Sequence, residues 1–288
     1  MRLQVQGCGR AAISLVATLP TLFVASGAWA QKADSEPSLK LRPALIDAKD
    51  SSGATLGLNY ELNKQFKFWQ NTKTGVGSSD VPENSDQTPL HGGLFLLKGQ
   101  GTVTASRGSN PNKLLDLSAQ LGVHRSGGGL GYTQLGAVGT FETDQGFEHK
   151  QSLFGLSVSH TLGYFGLGLT YAEVKPNKDE DRQKLVGNLN KFKRWNAELA
   201  FSMPIHNPYE TADSSALVKF RSIEAGYRHY QEIDAPSAIK TAGKDRNRLG
   251  LVRLNFDGDF FLQYSKGSLP FDQKSERAWQ VGWTSKFE

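Results

Sequence analysis

The chain of 288 residues has one cysteine, Cys8, close to its start. Everything after it is without a thiol, which excludes disulfides, Cys-ligated zinc and a cysteine nucleophile there. Long hydrophobic runs are missing too. Beyond Gln31 nothing approaches the roughly 18 apolar residues that a membrane helix needs. Neither charge sign dominates: 33 Lys and Arg against 28 Asp and Glu give +5, with Arg2 and Arg10 supplying two of those charges. That excess is too mild to indicate a nucleic-acid partner. There is no H-x-x-x-H, no cysteine pair and no G-x-S-x-G, so no metal, no cofactor and no catalytic residue is expected from motifs.

What is present begins with a leader. Arg2 and Arg10 precede an apolar stretch from Ala11 to Val24, and Ala28-Trp29-Ala30 forms a small-residue cleavage site. Residues 1–30 are therefore expected to be a signal peptide cleaved after Ala30, with Ala28 and Ala30 as its recognition residues. Cys8 lies before the apolar run, which argues against a lipoprotein anchor. A short polar tail, 31–37, and a single domain, 38–288, would follow.

That domain alternates. Leu56, Leu58, Tyr60 and Leu62 share one face, opposite Gly57, Asn59, Glu61 and Asn63. Leu115, Leu117, Ala119, Leu121 and Val123 do the same against Asp116, Ser118, Gln120, Gly122 and His124. Side chains on a strand alternate with period two, so each segment has one oily and one wet wall. The pattern predicts twelve strands, near 38–47, 54–63, 92–105, 114–125, 129–142, 150–161, 164–174, 192–203, 217–230, 247–257, 259–266 and 276–287. With the first strand running outward, the outer loops are 48–53, 106–113, 143–149, 175–191, 231–246 and 267–275. The inner turns are mostly shorter. The exception, 64–91, reads as a long periplasmic or lumen-folded connection.

The last strand carries a resemblance. Trp279, Val281, Trp283 and Phe287 alternate with Gln280, Gly282, Thr284 and Lys286. This resembles the terminal strand of outer-membrane β-barrel proteins of Gram-negative bacteria, although Glu288 follows the final aromatic residue. The resemblance implies a closed antiparallel transmembrane β-barrel in the outer membrane, with Trp279, Val281, Trp283 and Phe287 as an assembly signal. It also implies lipid and lipopolysaccharide around the barrel, and contact with periplasmic chaperones and the barrel-assembly machinery during biogenesis. A closed barrel is the sheet that satisfies every backbone N–H and C=O inside a bilayer. Tyr60, Tyr132, Tyr164, Tyr171, Trp195, Tyr227, Trp279 and Trp283 are expected at the two interfaces.

Alternation then assigns the lumen. Glu61, Asp116, Glu198, Glu224, Arg228 and Arg253 are the lumen-lining candidates, with Lys286 at one end and Arg194 near the outer end of its strand. Mixed signs point to a porin-like channel that passes small polar solutes without strong ion selectivity. Two alternatives stand beside it: a lipid-modifying hydrolase, and a plugged structural or adhesive barrel acting through its outer loops. For the hydrolase, His124-Arg125-Ser126 has the H-x-S spacing that resembles outer-membrane phospholipases, but it lies at the inner end. Ser159 and His160 face opposite walls. His229 reads as an interfacial residue on the lipid side, because no serine accompanies it. Residues 177–181 form an acidic cluster without calcium-loop spacing, and Lys178, Arg182 and Lys184 beside it suit phosphate contacts.

Overall fold

The protein is described from a computed structural model covering residues 38–49, 53–71, 90–106, 110–126, 131–205, 219–272 and 274–287. The leader expected over 1–30, the tail 31–37, the Gly127–Gly129 turn, His206 and Glu288 lie outside the described residues.

The strands are β1 (Ser38–Ala48), β2 (Thr55–Gln70), β3 (Leu90–Thr104), β4 (Leu115–Ser126), β5 (Tyr132–Thr143) and β6 (Lys150–Leu162). Then come β7 (Phe165–Lys178), β8 (Phe192–Pro204), β9 (Phe220–Ile233), β10 (Arg246–Phe256), β11 (Phe260–Gly267), β12 (Glu276–Trp283) and β13 (Ser285–Phe287). From β1 to β12 each pairs antiparallel with the next in sequence. β12 and β13 are one strand interrupted at Thr284, since both run along β1: Leu45 lies opposite Val281 and Leu39 opposite Phe287. The sheet thereby closes on itself as a twelve-stranded barrel. The end where β1 begins and β13 finishes is called the inner end, after the expectation that the first strand runs outward.

Alternation explains both walls. Leu56, Phe154, Leu156 and Phe165 point outward and are 62–71% exposed. Asn59, Glu61, Arg228 and Arg253 point inward and are nearly inaccessible, at 1–3%. An oily outside and a polar inside is the inverse of a soluble barrel and the pattern of a membrane-spanning one. No helix among the described residues is long and apolar enough to cross a membrane. Two short helices, α1 (Glu180–Val186) and α2 (Ser237–Thr241), sit in outer loops.

Two sequence expectations need correction. β2 continues to Gln70 and β3 starts at Leu90, so the long connection shrinks from 64–91 to 71–89. Phe66 and Phe68 keep the outward rhythm past Lys64 and Lys67, and Phe66 packs on Phe95 of β3 at 5.9 Å. A register shift between Lys67 and Trp69 then breaks the alternation that the sequence shows. Tyr132 is the second correction. It is not at the lipid interface, because its hydroxyl takes hydrogen bonds from Gln65 (2.6 Å) and from the inward-facing Gln134 (3.0 Å).

The inward glycines mostly relieve crowding where the wall curves. A Cβ on Gly122 would meet the Leu135 carbonyl oxygen at 2.1 Å and Gly136, its register partner, at 2.6 Å. Gly168 differs: a Cβ there would find only Glu198, at 3.6 Å, so that position opens on the lumen.

Candidate functional site

The lumen is built in three tiers, each tied by ion pairs between inward side chains. At the inner end Arg42 of β1 donates to Glu61 of β2 at 2.9 Å, and Lys40 approaches the other carboxylate oxygen at 3.2 Å. Across from them Arg253 of β10 meets Glu224 of β9 at 3.2 Å, with Asn255 donating to the same carboxylate at 3.0 Å. The Arg253 guanidinium also lies 5.1 Å from the Phe261 ring centre. Arg42, Arg253 and Glu224 line a cavity of about 300 Å³ that also reaches Lys286 and Asp259.

The middle tier is a cavity of about 100 Å³ between Lys98, Gln100, Asp116, Glu142, Glu198 and Tyr230. Gln100 donates to Asp116 at 3.0 Å, while Arg228 lies 3.4 Å from Glu198. Arg228 also hydrogen-bonds the Gln100 side-chain oxygen. β9 and β3 stand six strands apart in the closed sheet, so this contact joins opposite walls and marks a constriction.

In the outer tier Arg194 of β8 pairs with Glu142 of β5 at 2.5 Å, and Gln151 of β6 donates to the same carboxylate at 2.5 Å. Arg182 of α1 folds inward and grips Glu232 with two hydrogen bonds of 2.7 Å. Two outer loops also fold over the mouth. Leu114 and Leu269 pack on Tyr230, Leu249 and Leu251 in an apolar cluster inside the rim. Asp272 ties these loops together, accepting from the backbone N–H of Lys113 at 2.8 Å and of Leu269 at 2.6 Å. Burial pushes its carboxyl up to about 7. Beside it the Phe271 ring stacks on His149 at 5.5 Å, and His149 pairs with Asp144 at 3.1 Å.

All six residues taken from the sequence as lumen-lining candidates face inward. The structure joins Arg228 to Glu198 and Arg253 to Glu224, while Asp116 and Glu61 find partners in Gln100 and Arg42. Lys40, Arg42, Lys98, Gln100, Glu142 and Glu232 were not singled out from the sequence. Glu142 was legible, for it continues the inward series Gln134, Gly136, Val138, Thr140. Arg182, one of the three basic residues that suit phosphate contacts, has its partner in Glu232 on the wall. Trp279, Val281 and Trp283 face outward, and Phe287 is half exposed beside Leu39.

The histidines assemble no serine–histidine pair among the described residues. His124 is buried inward with neither ring nitrogen hydrogen-bonded, so it does not engage Ser126. His160 meets Thr133 at 2.9 Å on the outer wall, and His229 accepts from Arg248 at 3.2 Å with its ring 4.8 Å from Trp195. Among the described residues no group of three His, Cys, Asp or Glu is placed to hold a metal.

No protein-family model matches the chain, and no curated protein matches it. Comparison with solved structures finds porins at low similarity. The NanC porin superposes with a TM-score of 0.44 at 9% identity, covering 87% of this chain and 100% of that one. The KdgM porin gives 0.37 at 8%, covering 87% and 99%. OccD3 (OpdP) of Pseudomonas aeruginosa gives 0.35 at 10%, covering 88% and 91%. What the barrel does has to be read from this chain's own lumen.

Proposed function

We propose that the chain is a narrow outer-membrane channel for the passive passage of small polar solutes. One observation carries the reading: polar cavities follow one another through an ion-paired lumen, inside a wall whose outer face is apolar. A lumen with balanced, mutually paired charges passes dipolar and neutral solutes and discriminates weakly between ions. Twelve strands hold the bore narrow, because diameter grows with strand number. Glu61, Asp116, Glu198, Glu224, Arg228 and Arg253 would line the path, with Arg228 and Gln100 at its tightest point.

The same proposal includes the biogenesis that the sequence implies. A signal peptide removed after Ala30 would deliver residues 31–288 to the periplasm. Chaperones and the assembly machinery would then read the terminal strand through Trp279, Val281, Trp283 and Phe287, leaving the barrel among outer-membrane lipid and lipopolysaccharide.

Liposome swelling tests the transport reading. Vesicles carrying the folded barrel should swell in a monosaccharide or a small amino acid and stay shrunken in a trisaccharide. Vesicles unresponsive to every solute would support a plugged barrel instead. The apolar cluster of Leu114, Leu249, Leu251 and Leu269 under the outer loops is the observation that favours that second reading.

A further inference from the structure

The ion-paired lumen leaves unexplained a set of cations on the opposite, lipid-facing wall. Arg248 of β10, Lys266 of β11 and Arg277 of β12 all point outward near the outer end and are exposed. None of the three forms an ion pair among the described residues. Their placement is tight. Lys266 lies directly opposite Arg277 on one side and Gly250 on the other, and Arg248 is the next outward residue along β10. Diagonal neighbours of this kind stand about 7–8 Å apart.

The floor between them is bare. Gly250 has no side chain, and a Cβ added there would meet only the Lys266 carbonyl oxygen, at 3.9 Å. Tyr227 lies across from Gly250 on β9 and walls the far side. The result is a shallow pit in the outer wall, floored by glycine, with an aromatic residue on one flank and three cations around it. Arg248 is also aimed. Its Nε donates to His229 at 3.2 Å, which leaves the terminal nitrogens of the fork for a ligand. On the other side of the barrel the outward positions near this end of β3, β4 and β5 are Val103, Leu117 and Phe141. Other outward cations near this end, such as Lys175 of β7 and Lys193 of β8, lie two or more strands away, whereas these three surround one glycine, Gly250.

A cation on the lipid side of a barrel is costly at the bilayer midplane and nearly free at the interface. There it meets headgroups, and a guanidinium fork matches phosphate oxygens two at a time. We propose that this pit is a binding site for the phosphates of lipopolysaccharide in the outer leaflet, with Arg248, Lys266 and Arg277 as its ligands and Tyr227 against the sugar. The site rests on the membrane reading above, but not on passage of solute through the lumen.

The test uses the folded full-length mature barrel, purified in detergent and titrated with lipopolysaccharide, with the retained lipid counted by native mass spectrometry. The wild-type barrel should retain lipopolysaccharide, and R248Q/K266Q/R277Q should hold it about 100-fold more weakly. Enzymatically dephosphorylated lipopolysaccharide should bind both proteins as poorly as the variant binds the intact lipid. K150Q/K175Q, which removes two other lysines near this end, should behave as wild type. Heat-modifiable mobility and unchanged conductance would show that the triple variant is folded, and a silent lumen would leave this result standing. Equal retention by wild type and triple variant, or undiminished binding of the dephosphorylated lipid, would overturn the site.

Discussion

Arg228 on β9 and Gln100 on β3 are hydrogen-bonded across the full width of the barrel, six strands from one wall to the other. The contact sits beside Glu198 and Asp116, so it narrows the lumen and sets its local charge balance. Arg228→Ala removes the bar and a positive charge together. Unit conductance should rise, and the reversal potential in a salt gradient should move toward cation selectivity because Glu198 and Asp116 lose their counter-charge. A variant with unchanged conductance would place the constriction elsewhere.

Arg194 and Glu142 offer a stability test inside the outer tier. Both side chains are 4–5% exposed, and the pair is 2.5 Å apart. Arg194→Ala leaves a buried carboxylate without its main partner and should cost about 3–5 kcal/mol, whereas Arg194→Met with Glu142→Leu should be near neutral. Urea unfolding midpoints in vesicles, read by tryptophan fluorescence, separate the two outcomes.

The curved wall makes a steric prediction. Gly122→Val drives a side chain into the Leu135 carbonyl, which already lies 2.1 Å from where a Cβ would stand. Assembly should fail or stability fall by at least about 1–3 kcal/mol. Gly168→Ala, facing open lumen, should fold as wild type. Heat-modifiable migration on a gel reports both.

Asp272 gives the outer loops a pH dependence with a definite sign. Its carboxyl is raised from 3.8 to about 7 when the loops are docked, so docking favours the protonated form. The stabilising share is complete below the ordinary carboxylate value and is lost as pH rises toward about 7. Across that window the loop-opening constant should grow by up to about tenfold per pH unit, and level off above it. Hydrogen exchange at the Leu269 and Lys113 amides, corrected for intrinsic rate, should show this slope, and Asp272→Asn should flatten it.

The strand count, the closure and the inward set were legible because a bilayer enforces alternation without exception over most of each strand. Leu115 to Val123 shows this plainly. Alternation reads poorly where other demands intervene. Lys64 and Lys67 hid the continuation of β2, a bulge shifted Trp69, and Pro43 with Lys40 obscured the basic face of β1. Which charges pair was less accessible still. Arg194–Glu142 and Arg228–Gln100 join strands three and six apart, and nothing local in the sequence encodes a contact across the bore. Arg182 illustrates the limit: its loop position suggested solvent or phosphate, yet a short helix turns it inward onto Glu232.

Single-channel recording of the folded wild-type protein in a planar bilayer under a salt gradient tests the channel reading most directly. Small discrete steps with a reversal potential near zero are the result expected of a narrow lumen whose charges are paired. A heat-modifiable, correctly folded barrel that stays silent at every voltage would contradict it, and would mean that the three tiers are a filled core.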